Sequence, residues 1–200
     1  MRKIYLIRHG QTDANVEKKY CGWTDINLNS RGKKQVKKLG KKLSDLKIDN
    51  IFASDLKRVK ETAKFINEFH KKDITYLKEI REMNFGDFEN LTFKEISKKY
   101  PKQKEKIISN NLTYKFPNGE SLKELYNRSI KTFKDILKKD GNILIISHGG
   151  VIASILTYVL SGDIQNYWSI EVKNATLNTL VEKKQFLYLK NLNVLGGNFE

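Results

Sequence analysis

Several residue types are scarce in this chain, and each shortage excludes something. Cys21 is the only cysteine, so no disulfide can close within the chain, and the default compartment is the cytoplasm. Pro101 and Pro117 are the only prolines, and no internal repeat or low-complexity linker interrupts the 200 residues. One domain is expected over 1–200 at this length. No apolar run approaches the roughly 20 residues that span a bilayer. The opening Met1–Arg8 is charged at both ends and too short for a signal-peptide core. No membrane partner is therefore expected. Histidine occurs three times, as His9, His70 and His148.

Lysine is what abounds. Lys and Arg number 38 against 23 Asp and Glu, a formal net charge of +15, and only six of the 38 are arginine. Such a charge attracts polyanions, so a basic nucleic-acid or protein-binding module has to be weighed. However, Lys33, Lys34, Lys37, Lys38, Lys41 and Lys42 accompany the apolar stripe Val36, Leu39, Leu43 and Leu46, the pattern of a solvated helix face. The chain also shows no RNA-reading aromatic motif. No dedicated nucleic-acid site is expected, and the charge is read as drawing anionic substrates inward. Hydrophobic residues at 39% supply enough material for a core.

Apolar runs at Ile4–Ile7, Ile51–Ala53, Ile74–Leu77 and Ile143–Ile146 read as strands, with Leu177–Glu182 and Phe186–Leu189 as a terminal hairpin. Helical spacing covers residues 31–46, and a further helix with Leu56, Val59, Ala63 and Ile66 on one face is expected to be N-capped by Ser54. Thr92–Glu95 and Ser121–Glu124 have capping-box spacing, so helices should begin there. Alternating strands and helices predict an α/β fold with a largely parallel central sheet between helical layers. The stretch 81–120 interrupts the alternation and reads as a small helical cap. Ligands of such sheets bind beyond the carboxyl ends of strands. Three chemically loaded segments fall at such ends: Arg8-His9-Gly10, Ser54 to Arg58, and Ser147 to Gly150.

Histidine can act as a nucleophile toward phosphorus, dividing one hard displacement into two. A phosphoryl group also needs its oxygens clamped, which the planar donor fork of arginine does well. Arg8 adjoins His9, and Arg58 lies about one turn into a helix that follows a strand. His70, beside Lys71 and Lys72, reads as a surface residue.

Five segments, in order, resemble the histidine phosphatase superfamily, also called the phosphoglycerate mutase-like family. They are Arg8-His9-Gly10-Gln11-Thr12 with Asn15; Gly22 to Leu28 with Gly32 and Gln35; Ala53 to Arg58 with Glu61-Thr62-Ala63; Arg81 to Glu89; and Pro117 to Ser121 with Ser147 to Val151. The smaller phosphatases of the family, such as alpha-ribazole phosphatase and broad-specificity phosphatases, share this layout. The resemblance implies a three-layer sandwich and a phosphomonoester hydrolase in which His9 is phosphorylated. It implies that Arg8, Arg58 and His148 bind the phosphoryl oxygens with help from Asn15, and that Glu82 is the general acid and base. Cys21, Gly22 and Gly149 would line the pocket through backbone, and Thr12 would be a secondary contact. Asp87 and Glu89 are the alternative acids. Asn90 stands where relatives often have glycine. No metal and no cofactor are implied, and the partner would be a small phosphorylated metabolite. The alternative activity is cofactor-dependent phosphoglycerate mutase. Oligomeric state is left open, a homodimer being one option.

Overall fold

The computed structural model describes residues 1–184 and 186–195. Six strands form one sheet: β1 (Arg2–Arg8), β2 (Asn50–Ser54), β3 (Ile74–Leu77), β4 (Ile143–Ser147), β5 (Leu177–Lys183) and β6 (Phe186–Val194), in the order β3-β2-β4-β1-β5-β6. The first four run parallel, and β5 and β6 add an antiparallel edge. The sheet is thus mostly parallel, with the hairpin foreseen at residues 177–189 extended to Val194.

Successive strand residues point to opposite faces, and both faces are covered. Ile4, Leu6, Ile143 and Ile145 pack toward α6 (Leu122–Ile136) and α7 (Gly149–Leu160). Tyr5, Ile7, Leu144 and Ile146 pack toward α2 (Ser30–Lys42) and α3 (Lys57–His70). This is why β4 is apolar without alternation. In α2 the stripe Val36, Leu39 and Leu43 is buried, while the six lysines from Lys33 to Lys42 are exposed. The helix ends at Lys42 instead of running to residue 46, with Leu43 as its cap.

A short helix α1 (Asp13–Val16) follows β1. The predicted cap carries α4 (Phe93–Lys99) and α5 (Pro101–Ser109). A small apolar centre of Phe88, Ile96 and Phe116 supports it. Both capping boxes form: Thr92 accepts from the Glu95 N–H and Ser121 from the Glu124 N–H, and the carboxylates return the bonds.

Two further expectations need correction. Ser54 does not cap α3. It is the last residue of β2, and the helix begins after Leu56 with no cap from its own side chain. The α3 terminus is capped from elsewhere, the Lys57 N–H donating to Asp25 Oδ1 at 2.7 Å. His70 is half-buried, not a surface residue, with its Nε2 enclosed. Burial lowers its pKa.

Candidate active site

Because β1, β4 and β2 are neighbours, their carboxyl ends bring His9, His148 and Ser54 together, although 139 residues separate the two histidines in sequence. The His9 backbone N–H donates to the Ser147 carbonyl at 3.0 Å. His9 Nδ1 lies 2.7 Å from the Gly10 carbonyl oxygen. A carbonyl only accepts, so the proton belongs on Nδ1 and the lone pair on Nε2. The rings of His9 and His148 are 5.2 Å apart and inclined at 67°. His148 Nε2 meets the Ser54 hydroxyl at 2.9 Å, the contact that occupies Ser54 in place of helix capping. Both imidazoles have pKa values well below the usual 6.5. Burial is the main cause, and Arg58 and Arg8 add repulsion. A neutral imidazole is the nucleophilic form.

Arg58 is 1% exposed. It donates to the carbonyls of Thr24 at 2.9 Å and Gly22 at 2.6 Å. Arg8 donates to the Val172 carbonyl at 2.5 Å, and its guanidinium lies against Gly149, where a Cβ would approach Cζ to 3.3 Å. Burial lowers the pKa of both guanidinium groups, yet arginine remains charged at any physiological pH. Arg8 Nε and His148 Nδ1 are enclosed without a partner. Buried donors in that condition are costly, and two enclosed guanidinium charges require a counter-charge. An anion with several acceptor oxygens answers both needs.

Glu82 supplies a carboxylate to the same place. Its Oε2 accepts the Gly150 N–H at 3.0 Å at the start of α7, and its Oε1 accepts the Met83 N–H at 2.9 Å. A Cβ on residue 150 would run into Oε1. The segment bearing Glu82 is fastened by Arg128, which donates to the carbonyls of Glu82 at 2.9 Å and Arg81 at 2.8 Å, and by Trp23 Nε1, which donates to the Glu82 carbonyl at 3.0 Å. Arg81 itself is clamped by Asp55 through two 2.6 Å bonds.

Of the expected site residues, Arg8, Asn15, Cys21 and Glu82 line one cavity of about 300 Å³, together with Lys18, Lys19 and Phe85. Asn15 Oδ1 accepts from Thr12 N–H at 3.1 Å and from Asn174 Nδ2 at 3.2 Å, so Thr12 contacts Asn15. Burial raises the Cys21 thiol pKa, which leaves it a poor nucleophile. Gly22 has no room for a side chain, since a Cβ would collide with the Met83 carbonyl.

Glu89 is differently employed. Its carboxylate accepts from the N–H groups of Gly22, Trp23, Thr24 and Phe85 and from the Thr24 hydroxyl at 2.7 Å. It anchors the loop at 21–24 onto which Arg58 also bonds. Asp87 is exposed and bonded to Asn118. Asn90 adopts a φ of +65°, the left-handed conformation that glycine and asparagine tolerate best, so the loop keeps its turn without glycine. Sequence reasoning read Ser54 as a helix cap and Glu89 only as an alternative acid, and it missed Trp23, Arg128 and Asn174 as parts of the site. Ser54, Trp23 and Glu89 lay inside recognised segments. Nothing in the local sequence marks Arg128 or Asn174.

A model of the histidine phosphatase superfamily (branch 1) matches residues 4–195. The chain belongs to that superfamily. It is 33% identical over 196 residues to the uncharacterized phosphatase PhoE of Bacillus subtilis, covering 97% of this chain and 95% of that protein. It is 35% identical over 158 residues to phosphoglycerate mutase-like protein 4 of Arabidopsis thaliana, covering 76% and 69%. The crystal structure of a putative alpha-ribazole-5'-P phosphatase from Escherichia coli superposes with a TM-score of 0.94 at 23% identity, covering 100% and 99% of the two chains. The phosphoglycerate mutase-like architecture and a phosphatase enzyme are thereby shown.

Proposed function

We propose that this phosphatase hydrolyses a small phosphorylated metabolite through a phosphohistidine on His9, in the cytoplasm, with residues 1–200 acting as one domain and with no metal or cofactor. The observation that carries the reading is the tautomer: Nδ1 of His9 is bonded to the Gly10 carbonyl, so Nε2 is the free nucleophile, beside two guanidinium groups and a second imidazole. In the first step the Nε2–P bond forms as the P–O bond to the alcohol breaks. Glu82 gives the leaving oxygen its proton. In the second, water attacks phosphorus, Glu82 takes the proton from that water, and the N–P bond breaks to release inorganic phosphate. Arg8, Arg58 and the Nδ1–H of His148 hold the phosphoryl oxygens through both steps, with Asn15 and the backbone at Cys21, Gly22 and Gly149 lining the pocket.

Rapid alkaline quenching with a ³²P-labelled monoester should trap a phosphohistidine on His9 that survives alkali and is lost in acid. His9→Ala should lose roughly three orders of magnitude or more in kcat, the scale seen when a covalent nucleophile is removed. Near-normal turnover by His9→Ala would falsify the mechanism. Activity should persist undiminished in excess EDTA, and loss restored by Mg²⁺ or Zn²⁺ would contradict the metal-free reading.

The relative named a phosphoglycerate mutase-like protein supports the second reading, transfer of the phosphoryl group to a phosphoglycerate. A mutase must shelter its phosphohistidine from water. Incubation with 3-phosphoglycerate, with and without 2,3-bisphosphoglycerate, separates the two: hydrolysis gives inorganic phosphate from some ester, whereas rapid bisphosphate-stimulated formation of 2-phosphoglycerate would replace our reading.

A further inference from the structure

A second cavity of about 300 Å³ also borders Glu82, whereas Arg8 lines only the first of the two. The second shares Glu82, Tyr20 and Phe85 with the phosphoryl pocket, and its remaining walls include Met83, Ile107, Tyr114, Phe116, Leu125 and Trp168. The rings brace one another edge to face: Phe85 and Phe116 at 5.2 Å and 89°, Tyr114 and Phe116 at 5.2 Å and 83°, Tyr167 and Trp168 at 5.0 Å and 87°. The walls are therefore set before anything enters, which spares a ligand the cost of ordering them. Among the described residues lining this cavity, Glu82 is the only one with a formal charge. Burial pushes the Tyr167 hydroxyl up, so it stays neutral.

We infer that this cavity receives the alcohol part of the substrate, and that this part is uncharged and apolar, with an aromatic or alkyl body. The inference rests on the reading of Glu82 as the proton donor. The bond being broken lies at Glu82, which borders both cavities; with the phosphoryl group held where Arg8 lines the wall, the cavity without Arg8 is left for the alcohol. A carboxylate or ammonium carried by the alcohol would lose its water there. A carboxylate would also face Glu82, and no cation lines the wall to pair with it. Phosphoserine and phosphoglycerates are thus disfavoured, and an apolar body gains by removing ring and alkyl surface from water.

The test compares three primary alkyl esters, so that leaving-group chemistry is nearly matched: 2-phenylethyl phosphate, O-phosphoserine and 3-phosphoglycerate. The phenylethyl ester should have the highest kcat/KM by about tenfold or more, the scale on which a hydrophobic pocket discriminates. Ile107→Asp, which sets a second carboxylate into the wall from the half-buried face of α5, should bring that ratio close to one, and Ile107→Leu should retain it. Equal or reversed preference in the parent protein, or a ratio untouched by Ile107→Asp, overturns the inference. Calorimetric binding of 3-phenylpropylphosphonate against 2-amino-4-phosphonobutanoate reads the cavity without turnover and should show the same order. Tight binding of the phenyl phosphonate with no hydrolysis of any ester would sink the hydrolase reading and leave the subsite standing. Hydrolysis with equal binding would do the opposite.

Discussion

At position 150 the lack of a side chain lets Glu82 reach the Gly150 N–H at the start of α7. Alanine there would press on Glu82 Oε1 and on Leu125 Cδ2, so the carboxylate would have to leave. The kinetic signature of that displacement should match direct removal of the acid. A general acid contributes about 10²–10⁴-fold, and it matters most when the departing alkoxide is a strong base. Glu82→Gln and Gly150→Ala should both slow alkyl phosphates by at least about 10²-fold and p-nitrophenyl phosphate much less. Equal losses on both substrate types would point to another proton donor. Glu89 is then a weak candidate, because its oxygens already accept five donors.

Among elements, the loop at 21–24 is held by charged groups from two directions. It is held between the Arg58 guanidinium, which takes two of its carbonyls, and the Glu89 carboxylate, which takes its N–H groups. Hydrogen bonds to a charged acceptor are worth about 1.5–3 kcal/mol each where they are buried. Glu89→Gln keeps the shape but removes the charge and turns an N–H₂ toward donors. A loss of about 2 kcal/mol is expected, which for a chain of this size corresponds to a fall in Tm of about 4–8 °C. Thermal unfolding followed by circular dichroism measures it. A Tm within about 1 °C of the parent would show that the loop holds without this carboxylate.

For the whole molecule, the two site imidazoles set a pH dependence. Folded, His9 and His148 have pKa values far below 6.5, first because they are buried and then because Arg58 and Arg8 are close. Unfolded, each takes a proton near pH 6.5. Below that pH the unfolded chain binds more protons than the folded one, so stability is fully present above about pH 6.5 and declines as the pH falls. The slope reaches at most about 1.4 kcal/mol per pH unit for each histidine. Melting curves at pH 7.5, 6.5 and 5.5 and constant ionic strength should show a falling Tm, with inorganic phosphate opposing the fall because an anion compensates the protonated site. A Tm that is flat or rises toward pH 5.5 would contradict the buried neutral pair.

The sequence by itself determined those features that depend on near neighbours. Short apolar runs located β1, β2 and β4, helical apolar spacing located α2, and Thr92–Glu95 and Ser121–Glu124 announced the capping boxes that open α4 and α6. The five motif segments were enough to nominate His9, Arg8, Arg58, Glu82 and His148 as one site, and the structure brings them together. What depended on distant partners was decided only by tertiary structure. Ser54 had the composition of a helix cap, but strand order sets it beside His148, and Asp25 caps α3 in its place. Glu82 and Glu89 are both carboxylates in one short motif. One borders the cavities, and the other is saturated by the loop at 21–24, because donors 65 to 67 residues away in sequence choose between them. Arg128 fastens the Glu82 segment from α6, and no local pattern records that. The physical reason is the same in each case: periodicity and capping arise within a few residues, whereas a charge or hydrogen bond is fixed by whichever group the fold brings within 3 Å.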